Sequence, residues 1–122
     1  MRAAAGVLLF ALCGCGGGTT NPAPGQTALV VKVTYDDSNI DHWHITGVAL
    51  SSGRSFGPFD ASGNQVQSGE TVGLIFDPDD AGTAMVCIEG REGTSPRASA
   101  CGMFGVTANQ VAHGTLDLHS TR

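Results

Sequence analysis

Leu29-Val30-Val31-Lys32-Val33-Thr34-Tyr35, residues 29–35, alternates without a break, with Leu29, Val31, Val33 and Tyr35 on one side and Val30, Lys32 and Thr34 on the other. Successive side chains of a strand point to opposite faces, so a period of two marks a strand with one face buried. A helix would show apolar residues at i, i+3, i+4 and i+7, and nothing along the chain reads that way. The 18 glycines argue in the same direction, because glycine is the poorest ordinary helix former.

Working outward, Trp43 to Leu50 is a second strand, in which Trp43 and Ile45 share one face and Val48 and Leu50 the other; Gly47 between them marks a place for a bulge. Residues 51–68 are rich in Ser, Gly and Pro, with short edge strands expected around Arg54 to Phe56 and Gln65 to Val66. Glu70 to Phe76 alternates through Val72, Leu74 and Phe76, and Asp77-Pro78-Asp79-Asp80 then turns the chain. Ala84 to Glu89, Ala98 to Val106 and Val111 to His119 complete the set. About seven short strands between turn residues predict an all-β protein, an antiparallel β-sandwich over residues 27–122. The layout is similar to immunoglobulin-like and transthyretin-like domains of bacterial surface proteins. The most local likeness is Asp80-Ala-Gly-Thr-Ala-Met-Val-Cys87, which resembles the Asp-x-Gly-x-Tyr-x-Cys corner of immunoglobulin domains with one residue more and with Met85 in place of the tyrosine.

A chain of 122 residues has room for one such domain. Its formal charge is −5, and removal of a leader carrying Arg2 leaves five basic against eleven acidic residues. Lys32 is the sole lysine, so the clustered positive charge that a phosphate backbone requires is missing and nucleic acid is excluded as a partner.

Ahead of the domain, Arg2 is followed by the apolar run Ala3 to Leu12 and then by Cys13-Gly14-Cys15. A bilayer span takes about 20 apolar residues, so the run has the length of a secretory signal and not of a membrane helix. Leu12-Cys13-Gly14-Cys15 resembles the lipobox of bacterial lipoproteins, an aliphatic residue, a variable one and a small one before the cysteine that is lipidated. The resemblance covers residues 1–15 and implies a signal peptide over 1–14, a lipidated Cys15 and a mature protein held to the membrane. Several acyl chains at about 0.8 kcal/mol per buried methylene make such an anchor effectively permanent. Gly16 follows the cysteine where aspartate would retain many such proteins at the inner membrane, so the resemblance further implies the outer membrane. Residues 16–26, Gly-Gly-Gly-Thr-Thr-Asn-Pro-Ala-Pro-Gly-Gln, hold no residue that could seed a core and read as a tether of about 18 Å.

Cys87 and Cys101 flank Glu92-Gly93-Thr94-Ser95-Pro96. A hairpin folded about Thr94 places Cys87 opposite Cys101, Glu89 opposite Ser99 and Arg91 opposite Arg97, so a disulfide between neighbouring strands is expected in an exported protein.

Three patterns could carry chemistry. Gly53-Arg-Ser-Phe-Gly57 has the form G-x-S-x-G, but a nucleophile elbow needs a strand-to-helix turn on a large parallel sheet. Asp77 and Asp79 occupy the first and third places of a calcium loop with Gly82 at the sixth; Ile88 stands at the twelfth, where an EF-hand needs glutamate. His42 and His44 share a strand face, as do His113, Asp117 and His119, and two histidines with a carboxylate could hold zinc or copper if the strands adjoin. The expectation is a lipid-anchored envelope protein without cofactor or catalytic activity, a binding or assembly module for an envelope partner. Its alternative is a metal- or calcium-binding protein using His42, His44, Asp77 and Asp79. Phe56 and Phe59, in the polar stretch 51–68, read equally as exposed contact residues and as a cap on the core.

Overall fold

Alternation becomes two stacked sheets in the computed structural model, which describes residues 7–11, 25–37, 39–62 and 66–120. The strands are β1 (Val7–Ala11), β2 (Ala28–Thr34), β3 (His42–Ala49), β4 (Arg54–Ser62), β5 (Thr71–Phe76), β6 (Gly82–Glu92), β7 (Ser95–Val106), β8 (Val111–Asp117) and β9 (His119–Ser120). One sheet has five strands in the order β4-β3-β6-β7-β9. The other runs β5-β2-β8, with β1 added along the outer side of β5. The protein is therefore the all-β sandwich that the alternation predicts.

Leu29, Val31, Val33 and Tyr35 face inward as their spacing requires. Across the interior they meet the inner face of the five-stranded sheet, where Trp43, Ile45, Val86 and Ile88 are 0–1 % exposed. The Trp43 indole N–H donates to the Tyr35 hydroxyl at 3.3 Å, so both polar tips in this part of the core are satisfied. Among the described side chains, every residue of the core cluster lies between Leu29 and Leu118.

Four expectations change in detail. The pairing is not wholly antiparallel, since β2 and β8 run parallel from Ala28 opposite Val111 to Thr34 opposite Asp117. Gly47 does not swap the faces of β3, because Trp43, Ile45, Gly47 and Ala49 are all buried and Val48 lies on the outer face. The bulge is on the partner strand, where Gly57 and Pro58 together oppose Thr46 between the pairs Ile45–Phe59 and Gly47–Phe56. Gly57 adopts φ +87°, and a Cβ there would stand 2.5 Å from the Ile45 carbonyl oxygen, so glycine is required. Finally, the chain leaves the smaller sheet after Asp117, and His119 pairs with Ser99 in the larger one.

The hairpin of β6 and β7 turns at Gly93 and Thr94 and brings Cys87 opposite Cys101, where the disulfide closes with Cα atoms 4.0 Å apart. Glu89 opposes Ser99 as expected, but Arg91 opposes Pro96, because Arg97 is extra on β7. The bridge lies within one sheet, whereas the immunoglobulin disulfide joins two.

Candidate functional site

The outer face of the five-stranded sheet is built as rows of side chains running across the strands. Odd-numbered residues of β6 and β7 and even-numbered residues of β3 point outward, because Trp43, Ile45, Ala84, Val86, Ile88 and Ala98 point in. One row runs Ser55, Val48, Met85, Met103. The next holds Thr46, Cys87 and Cys101, so the disulfide lies on the outside of the sheet and not in the core. A third runs Asp60, His44, Glu89, Ser99, His119 across all five strands. The face thus grades from apolar and sulfur-bearing at one end to ionic at the other. Met103 is 60 % exposed, a large hydrophobic surface that the fold leaves in solvent.

Its ionic end is organised by short local contacts. His44 Nδ1 lies 2.9 Å from Asp60 Oδ1, directly across β3 and β4. Arg91 donates from Nε to Glu89 Oε1, two residues away on β6. Asp41 accepts the Gly93 backbone N–H at 2.9 Å and contacts His42, and these bonds, the Gly93 amide first, hold its carboxyl below the usual carboxylate range. Between the disulfide and this ionic end lies a shallow hollow of about 330 Å³, bordered by His44, Glu89, Arg91 and Ser99.

A second, larger cleft of about 510 Å³ opens where the two sheets meet, between the segment after β2 and the β8–β9 crossing. Tyr35, Asp36, Asp37, Arg97, Asp117 and His119 line it. Arg97 donates from Nε to Asp37 at 2.9 Å, tying the segment after β2 to the bulge in β7. The Asn39 backbone amide and then Arg97 hold the Asp37 carboxyl down, and Asp37 in turn raises Arg97. Burial pushes the Tyr35 phenol up. The cleft is negative on balance, but its strongest charges are already paired with one another.

The residues singled out as metal ligands do not form one site. His42 and His44 face the Arg91 and Glu89 end of β6, whereas Asp77 and Asp79 lie beyond its other end, ahead of Gly82. Gly82 to Glu89 is seven residues, roughly 23 Å of strand at 3.3 Å per residue. Asp77 is occupied as the cap of the 3-10 turn Pro78–Asp80, accepting the Asp79 backbone N–H at 2.9 Å. His113 lies on β8 of the opposite sheet, and His119, although in the same row as His44, is three strand spacings from it with Glu89 and Ser99 between, so neither shares a site with His42 and His44. Among the described residues, no three of His, Cys, Asp or Glu gather closely enough to hold a metal ion.

Phe56 is 8 % exposed and packs edge-to-face on Phe76 at 5.5 Å between ring centres. Phe59 is half-buried against the same core. Of the two readings of this pair, the cap on the core is the one that its burial fits: the bulge turns both rings inward. Ser55 of the G-x-S-x-G stretch lies exposed on β4, an edge strand, opposite Val48. Cys15 and the lipobox lie outside the described residues. The Met85–Met103 pair and the Asp60–His44–Glu89 row were not singled out from the sequence. The only sequence signal that could have found them is the outward phase of strands already located by their buried residues.

No family model and no curated protein matches the chain. Among solved structures, the crystal structure of RahU protein in complex with a TRIS molecule is similar over 82 % of this chain and 98 % of its own, at 10 % identity and a TM-score of 0.36. A likeness of that size supports no functional argument.

Proposed function

We propose that the protein is a lipid-anchored binding or assembly module of the bacterial envelope, without enzymatic activity, tethered at the outer membrane through Cys15. The observation that carries the reading is Leu12-Cys13-Gly14-Cys15, set directly after an apolar run of signal length and directly before a tract without core residues. The disulfide supports it: an outward-facing Cys87–Cys101 bond persists in an oxidising compartment and would be reduced in a cytosol. The graded outer face of the five-stranded sheet is the binding surface in this reading. It offers an exposed methionine, which adapts to varied partner shapes, beside paired charges that would orient the partner.

The anchor is tested by intact-mass analysis of the membrane-associated protein. Wild type is expected to begin at Cys15 and carry acyl chains, Cys13→Ser to behave likewise, and Cys15→Ser to stay unprocessed and unacylated. Acylation of the Cys15→Ser protein would overturn the reading.

A further inference from the structure

The edges of the two sheets are not protected alike. Unpaired strand edges invite pairing with other chains, and proteins blunt them with charge, proline, bulges or short strands. On the five-stranded sheet, β4 carries Arg54, Pro58, Asp60 and a bulge, and on the other side β9 covers Ala98 and Ser99 of β7 and, among the described residues, leaves residues 100–106 unpaired there. On the smaller sheet, β8 carries His113 and Asp117. β5 reads Thr-Val-Gly-Leu-Ile-Phe, six residues with no charge, no proline and no bulge. Its backbone orientation follows from two bonds: the Phe76 N–H donates to the Thr27 carbonyl, and the Glu70 carbonyl accepts from the Val33 N–H. Even-numbered residues therefore bond toward β2, and Thr71, Gly73 and Ile75 direct their N–H and C=O groups to the open side. There β1 is seated antiparallel, with Leu8 opposite Ile75 and Phe10 opposite Gly73.

β1 lies inside the segment that processing at Cys15 would remove, so this inference rests on the anchor reading. We propose that in the processed protein a second copy takes the place of β1, β5 pairing antiparallel with β5 of its neighbour about a two-fold axis at Gly73. The occupant that the structure seats on this edge is a short, extended, uncharged apolar strand, Val-Leu-Leu-Phe-Ala. β5 has the same chemistry and nearly the same length. Gly73 is the middle one of the three outward-bonding residues, so an axis there sets Thr71 of each copy opposite Ile75 of the other and satisfies all three. The two three-stranded sheets become one of six. Tethering to a common membrane surface raises the local concentration of the partner.

Protein beginning at Gly16 retains every residue of the core cluster among the described side chains and is the form to test. Sedimentation over a concentration series is expected to show a monomer–dimer equilibrium, with the Thr71, Gly73 and Ile75 amides protected from hydrogen exchange in the dimer. Ile75→Lys puts a charge on this edge while leaving Val72, Leu74 and Phe76 in place, and is expected to give a monomer with unchanged circular dichroism. Thr71→Lys at the start of the strand provides the same comparison should Ile75→Lys not fold. A monomer at every concentration, a dimer whose three amides exchange freely, or folded lysine variants that still dimerise would each overturn the pairing. Retention of residues 1–14 by the native protein would instead sink the anchor reading and the free edge with it.

Discussion

Asp80, 1 % exposed, accepts hydrogen bonds from Arg54 Nε at 3.1 Å and from Ser52 Oγ at 2.7 Å, so a buried carboxylate locks the β3–β4 turn to the turn after β5. Arg54 is 39 % exposed, which makes the pair lopsided. Removing the aspartate frees a guanidinium that water can reach; removing the arginine strands a charge in the interior. Arg54→Met is therefore expected to lower stability by about 3 kcal/mol, the lower end for breaking a buried ion pair, and Asp80→Asn by clearly less. Urea unfolding of the two variants checks the order, which would reverse if the arginine contributed only packing.

The bulge at Gly57 and Pro58 governs a second expectation. Phe56→Ala should cost about 3 kcal/mol or more, as for a buried aromatic, and Phe59→Ala about 1 kcal/mol, because only the first ring is fully enclosed. Thermal or chemical unfolding measures both, and equal small losses would show that the rings face solvent.

Reduction acts on the denatured chain more than on the fold. Cys87 and Cys101 close a loop of about 15 residues, which in the chain-entropy model corresponds to about 3 kcal/mol. The Cys87→Ala, Cys101→Ala double variant is expected to unfold at correspondingly lower urea with an unchanged β-sheet spectrum, and non-reducing peptide mapping of the wild type should recover the two cysteines linked.

Acid should destabilise the fold in a defined window. Asp41 and Asp37 titrate lower in the folded protein than in the unfolded chain, held down first by the amides of Gly93 and Asn39. Between the two values the unfolded state binds more protons, so their contribution is complete above the ordinary aspartate value of about 3.9 and is lost as pH falls through the folded values. The thermal midpoint is expected to be flat from neutral pH to about 5 with respect to these groups and to drop below about 4. Asp41→Asn should shallow that drop; an unchanged acid limb would contradict it.

The proposed binding face is tested by charge. Met103→Glu places a carboxylate at its most exposed apolar point and is expected to change stability by about 0.5 kcal/mol or less, as surface substitutions do. Crosslinking of the protein in cells is expected to lose its adduct in this variant, and adducts formed equally well would place the surface elsewhere.

Alternation located the strands because each buries one face: Leu29 to Tyr35 reads as a strand with no knowledge of its neighbours. Cys87 opposite Cys101 was equally legible, since a short turn between two strands sets the register near it. Phe56 and Phe59 were not, because an odd spacing in a regular strand puts two residues on opposite faces. Only the extra residue at Gly57 and Pro58 brings both rings to one side. The outer rows were hidden for a related reason: Asp60, His44 and Glu89 come from three strands, and their meeting depends on register across the sheet. His42 and Asp77 looked combinable in a linear chain and are held apart by the length of β6.

The parallel seam between β2 and β8 bears on when this protein can fold. It joins residues 83 apart, sealed at one end by the Thr34 hydroxyl donating to Asp117 at 2.9 Å. Pairings of such long range come late, since the loop between them must close before the contacts reward it. A ribosome must have made β2 through β7 before β8 exists to complete the smaller sheet. Until then one side of β2 has no neighbour, and a half-made chain carries an open strand edge where the finished protein has a parallel seam.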